Sequence, residues 1–142
     1  MFYEFRITTP ANTPASAPLQ TELQLDAGAI TAVEVLFPSG CIGLVHLTIS
    51  DELHQVWPVN ADADISGDTF PIGWRDDFEL TDTPYTLRAD VWNLDDSYEH
   101  TVTIRFEFVP LATWRRRQRA GDALDYLARW FGTGPAAAAT EG

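Results

Sequence analysis

The sequence predicts an all-β fold, a jelly-roll or Greek-key β-sandwich of about eight strands followed by a C-terminal amphipathic α-helix. Three observations predict it. Apolar and polar residues alternate with a period of two in short runs as far as Pro110; each run is closed by Gly, Pro, Asp or Asn; and the period then changes to that of a helix. A chain of 142 residues can bury one core without a metal or a disulfide, and its 45% hydrophobic and 12% aromatic content is that of a globular domain. Residues 1–110 are therefore assigned to the sandwich.

The first strand places Tyr3, Phe5 and Ile7 on one face and Glu4, Arg6 and Thr8 on the other. Residues 10–18 follow, with Pro10, Pro14 and Pro18 unable to sustain a ladder, and read as a long ordered connection or a flexible arm. Leu19, Thr21, Leu23 and Leu25 form a second alternating run, closed by a turn at Asp26-Ala27-Gly28. The run from Ala29 to Phe37 is apolar on both faces and predicts a central or doubly covered strand, ended by Pro38-Ser39-Gly40.

Val45, Leu47 and Ile49 define the next strand, and His54 to Trp57 a short one stopped by Pro58. Phe70, Ile72 and Trp74, interrupted by Pro71, read as an edge strand or a bulge, and Phe78 and Leu80 as a separate brief strand. Tyr85, Leu87, Ala89 and Val91 alternate with a polar set in which Trp92 falls, so Trp92 is expected to be exposed. After a polar turn over 93–97, Val102, Ile104, Phe106 and Phe108 mark the last strand. Beyond Pro110, Ala120, Ala123, Leu124, Leu127 and Phe131 share one helical stripe. A helix is expected over 111–132 with Thr113 as N-cap and Gly132 after its end, then a flexible tail over 133–142.

Charge is unevenly distributed. The formal net charge is −12 and all 9 basic residues are arginine; 18 carboxylates and 4 arginines precede Leu111, whereas 5 arginines and 3 carboxylates follow. An acidic sandwich repels phosphate backbones, which argues against nucleic-acid binding through it. The single cysteine, Cys41, excludes an intrachain disulfide and reads as a small buried residue. No apolar stretch approaches the roughly 18 residues of a membrane span. Met1 leads into Phe2 and Tyr3 without a basic or apolar leader, so the expectation is cytoplasmic synthesis without a signal peptide.

The candidate sites are few. Asp62-Ala63-Asp64-Ile65-Ser66-Gly67 matches the opening of a calcium loop, with oxygens at alternate positions and Gly at the sharp turn. Asp62, Asp64, Ser66 and Asp68 are thus candidate ligands of a structural calcium ion, the only cofactor considered. The twelfth position is Gly73 rather than Glu, and an acidic surface turn explains the same residues. His46, His54 and His100 lie on different strands, with Glu52 and Glu99 as neighbouring carboxylates, and Asp76-Asp77 and Asp95-Asp96 read as solvated turns. No nucleophile elbow or His-x-x-x-His helix is present, and no catalytic residue is assigned. Arg115, Arg116, Arg117 and Arg119 crowd the start of the helix, where positive charge opposes the helix dipole by a few tenths to about 1 kcal/mol per exposed residue. A contact should offset this: protein carboxylates of the same or a neighbouring chain, an anionic membrane surface reached beside Trp114, Trp130 and Phe131, or nucleic acid, with the acidic sandwich favouring protein carboxylates. Partner-binding residues are accordingly Arg115, Arg116, Arg117, Arg119, Trp114, Leu124, Leu127, Phe131 and Trp92.

A small β-sandwich with a Pro-rich segment after its first strand and an appended helix resembles the decoration proteins that stud the heads of tailed bacterial viruses. Phe5 to Pro18, His54 to Asn60 and Trp92 to Val102 also look like a family of uncharacterised short β-rich microbial and viral proteins. The resemblance implies a non-enzymatic structural protein, a virion decoration or minor capsid component, held in a homo-oligomer or capsid-like assembly through its arm and helix. The alternative is a calcium-, glycan- or membrane-surface-binding sandwich module.

Overall fold

A computed structural model describes residues 1–52 and 54–131. In chain order these form β1 (Phe2–Thr9), β2 (Leu19–Gln24), β3 (Gly28–Leu36), β4 (Val45–Asp51), β5 (His54–Trp57), β6 (Ile65–Ser66), β7 (Ile72–Leu80), β8 (Thr86–Asn93), β9 (His100–Pro110) and α1 (Leu111–Phe131). The tail expected over 133–142, and Gly132, lie outside the described residues.

The strands pair as one long antiparallel hairpin that has been rolled up. Its two arms meet as β1 with β9, β2 with β8, β3 with β7 and β4 with β5. Rolling adds β3 to β9 and β4 to β8. The outcome is two sheets, β1-β9-β3-β7 and β2-β8-β4-β5, with the short β6 on β4. This is the strand order of a jelly roll, which packs two antiparallel sheets over one core.

The alternating runs supply that core. Leu23, Val35, Leu47, Ile49, Val91, Ile104 and Phe106 are fully buried between the sheets, each worth roughly 1.5–3 kcal/mol relative to exposure. β3 is central in its sheet, flanked by β9 and β7, as its double apolar pattern predicts. Along one side, where β5 and β7 are the sheet edges, Trp57 packs against Trp74, Phe78 and Phe106 with ring centroids 6.1, 5.5 and 6.0 Å apart. Aromatic bulk closes the seam there.

Three expectations are corrected, and one of two readings is selected for the Pro-rich segment. The runs around Ile72 and Phe78 are a single strand, β7, in which a register shift opposite Ile30/Ala32 absorbs an interruption of the alternation. Asp76 therefore lies within a strand, not a solvated turn, and its Oδ2 accepts the Trp57 indole N–H at 2.9 Å. The Pro-rich segment is no free arm: Asn12 N donates to Asp95 O at 2.8 Å, and Thr13 and Asn93 exchange both backbone hydrogen bonds at 2.9 Å. Thr113 does not cap the helix, because α1 starts at Leu111 directly from β9, with Leu111 N donating to Ala27 O at 3.1 Å. Proline at the junction has no N–H to leave unpaired and a φ compatible with either element.

Candidate functional site

The helix stands on the sandwich by its first two turns. Trp114 Nε1 and Gln118 Nε2 both donate to Glu79 Oε1, each at 2.9 Å, and Trp114 is half-buried. Glu79 thereby sets a carboxylate beside the N-terminal end of α1, which has no acidic residue of its own in the first turn. That partly answers the dipole. No residue of α1 is buried.

At about 100° per residue, Ala120, Ala123, Leu124, Leu127 and Phe131 centre on a line roughly 150° around the helix from Leu111, Trp114 and Gln118. The apolar stripe consequently points away from the sandwich that carries it. Leu124 is 67% exposed, Leu127 47% and Phe131 74%, and Trp130 beside them is 71% exposed. Arg116 and Arg117 sit at the N-terminal end of the same stripe. Among the described residues, the arginines that pair with carboxylates are Arg6, Arg88 and Arg105. Among the described residues, Arg115, Arg116, Arg117 and Arg119 have no such partner, and Arg116 reaches the Thr113 hydroxyl at 3.4 Å.

The expected calcium ligands are not brought together. Asp62 Oδ1 accepts from Asn60 Nδ2 at 3.2 Å, Asp64 Oδ1 lies 2.6 Å from His46 Nδ1, Asp68 Oδ1 accepts from Gly40 N at 2.9 Å, and Ser66 sits in β6 opposite His46. Each carboxylate serves a local turn or strand contact, and among the described residues no group of three or more His, Cys, Asp or Glu side chains is placed to hold a metal ion. Trp92 is half-buried rather than open, because the His46 ring stacks on it with centroids 5.3 Å apart and planes 7° from parallel. Its strand neighbour covers one face of the indole.

A polar cluster that sequence reasoning took for a solvated turn holds the end of the sandwich together. Buried Asn93 donates through Nδ2 to Thr9 O at 3.2 Å and to Tyr98 O at 2.9 Å, and its Oδ1 accepts from Asp95 N at 3.0 Å. Asp95 accepts from Ser97 N and Tyr98 N, and its Oδ2 lies 2.8 Å from His100 Nε2. The partner of His100 is thus Asp95 across the turn, not the adjacent Glu99. The available signal was the spacing Asn93-x-Asp95-x-Ser97, which suits successive side-chain-closed turns. Nearby, burial pushes the Cys41 thiol up to about 11, with the carboxylates of Asp68 and Asp95 adding to it, so this cysteine is held as the un-nucleophilic thiol.

The His100 hydrogen bond holds the Asp95 carboxyl below the usual carboxylate range, helped by the Ser97 and Tyr98 amides and opposed by burial. A folded pKa below the unfolded value of about 3.9 gives stability that is present above that value and lost as pH falls through the folded one. Asp95→Asn should therefore lower Tm at pH 7 and flatten its decline between about pH 5 and pH 2. Thermal melts across that range check it, and an acid limb as steep as that of the unmodified chain would show that Asp95 is not the group responsible.

No protein-family model matches the chain, and no curated protein sequence matches it. Among the described residues, no helix is long and apolar enough to cross a membrane.

Proposed function

We propose that this chain is a non-enzymatic structural assembly protein, with a virion decoration or minor capsid role as its setting. The observation that carries the reading is the apolar stripe of α1, exposed on the side facing away from its own sandwich. Ordered apolar surface of this kind calls for a partner. The jelly-roll core supplies a closed, rigid block, the Asn12–Asp95 and Thr13–Asn93 bonds tie the Pro-rich segment into it, and the helix is left as the element that reaches outward. Jelly rolls build viral capsids as well as lectins and cupins, so the fold agrees with the reading without deciding it.

Sedimentation of native source material, followed with an antibody to the chain, tests the proposal. The chain is expected in the fast-sedimenting particle fraction, in a repeating lattice by electron microscopy, and Leu124→Glu/Leu127→Glu is expected to leave that fraction. Recovery of the unmodified chain only as a free, slowly sedimenting species would overturn it. The stripe with arginines beside Trp130 and Phe131 also suits an anionic bilayer surface. Flotation with phosphatidylserine vesicles that is lost in the same variant would put the membrane reading in place of the assembly one.

A further inference from the structure

We infer that the partner of the helix stripe is a second copy of this chain, and that its seat is the apolar cleft at the β5–β7 seam of the neighbouring sandwich. The inference rests on the assembly reading above and names the partner within it.

The cleft encloses about 300 Å³ and is walled by Trp57, Pro58, Ile65, Ile72 and Trp74, with no polar surface in its lining. Its apolar character continues outward along the chain. Val59, next to Pro58, is 82% exposed, and Phe70, two residues before Ile72, is 78% exposed. An apolar hollow with two bare side chains next to its walls in sequence is a counterpart that Leu124, Leu127 and Phe131 lack among the described residues of their own chain. Aromatic and branched side chains entering such a hollow are the usual anchors of an interface.

Charge gives the direction. The segments that bound the cleft carry Asp62, Asp64, Asp76 and Asp77, and Asp76 touches the cleft wall through the Trp57 indole. The described helix carries 5 arginines and 2 aspartates, and its basic cluster has no carboxylate partner among the described residues. Pairing two helices in parallel would set like charges together, whereas a helix on a neighbour's cleft sets arginine beside aspartate. The stripe faces away from the sandwich that bears it, so the contact forms between chains. Each copy then gives a helix and receives one, a heterologous contact that closes into a ring or grows as a filament. It would also cover the free edges of β5 and β7, which otherwise present unpaired backbone.

Complementation between two variants of the full chain tests this. Leu124→Glu/Leu127→Glu removes the donor, and Val59→Lys/Phe70→Lys removes the acceptor; all four side chains or their surroundings are exposed, and circular dichroism verifies that both variants fold. By light scattering, the unmodified chain should at least double its average mass from 15.8 kDa with rising concentration, and fall back in high salt. Each variant alone should stay at monomer mass, and an equimolar mixture should yield a two-chain species, because one intact helix and one intact cleft remain. Association surviving in the helix variant, or no two-chain species in the mixture, would overturn the inference. An unmodified chain that stays monomeric to about 100 µM would overturn self-association, while the sedimentation experiment judges the assembly reading on its own.

Discussion

Replacing Gly28 by alanine is expected to destabilise the fold by about 3 kcal/mol, the upper end of overpacking costs. Gly28 opens β3 and lies between Leu80 of β7 and Pro110 of β9. A Cβ there would fall 2.2 Å from Val109 O and 2.5 Å from Phe108 Cζ. Neither neighbour can yield cheaply, since Val109 O belongs to a strand paired on both sides and Phe108 is part of the core. The sign is opposite to the ordinary one, because alanine in a strand interior normally gains about 0.5–1 kcal/mol over glycine. Gly73 in β7 supplies the control: its added Cβ would meet only Val33 O, at 3.4 Å, an ordinary contact. Urea unfolding of both variants should separate them by more than about 2 kcal/mol at unchanged m-value. Equal midpoints would mean that β3 and β9 do not approach as closely as described.

Asn93→Ala is expected to cost about 3 kcal/mol. The substitution strands the carbonyls of Thr9 and Tyr98 and the amide of Asp95, all satisfied by one fully buried side chain. Buried groups left without partners lose more than the bond was worth. Because the same turn anchors Asn12 and Thr13, the damage should also be local. Amide hydrogen exchange at Asn12 and Thr13 should accelerate beyond what the lowered global stability explains. Protection there equal to that of the core would show that the Pro-rich segment is held by something other than the Asn93 turn.

Strand positions were legible in the sequence wherever one face meets the core, because the period of two is imposed by burial. Val102 to Phe108 and Tyr3 to Ile7 are the clearest cases. β7 was misread as two strands because its edge position and register shift allow Asp76 and Asp77 in mid-strand, where they mimic a turn. The exposure of Trp92 was misjudged for a related reason: alternation tells which sheet face a side chain occupies, not that His46 on the next strand lies over it. The Asp62 motif was legible as oxygens at alternate positions; in the structure one oxygen each of Asp62, Asp64 and Asp68 meets Asn60, His46 and Gly40. In the helix, periodicity placed Ala120, Ala123, Leu124, Leu127 and Phe131 on one stripe and the sequence itself displayed the arginine cluster. It could not orient them, since that depends on where Pro110 leaves the sheet and on the hold of Glu79 on Trp114 and Gln118. The β5–β7 cleft was invisible to sequence because its walls come from three separate segments.

The unbroken passage from β9 into α1 has a mechanical consequence. β9 pairs with β1 from His100 to Glu107 on one side and with β3 from Thr103 to Pro110 on the other. Tension on the helix runs along the axis of that strand, so both ladders are loaded in shear and must give way together rather than unzip one bond at a time. A chain fastened to its surroundings by α1 would therefore be held through two sheet ladders at once.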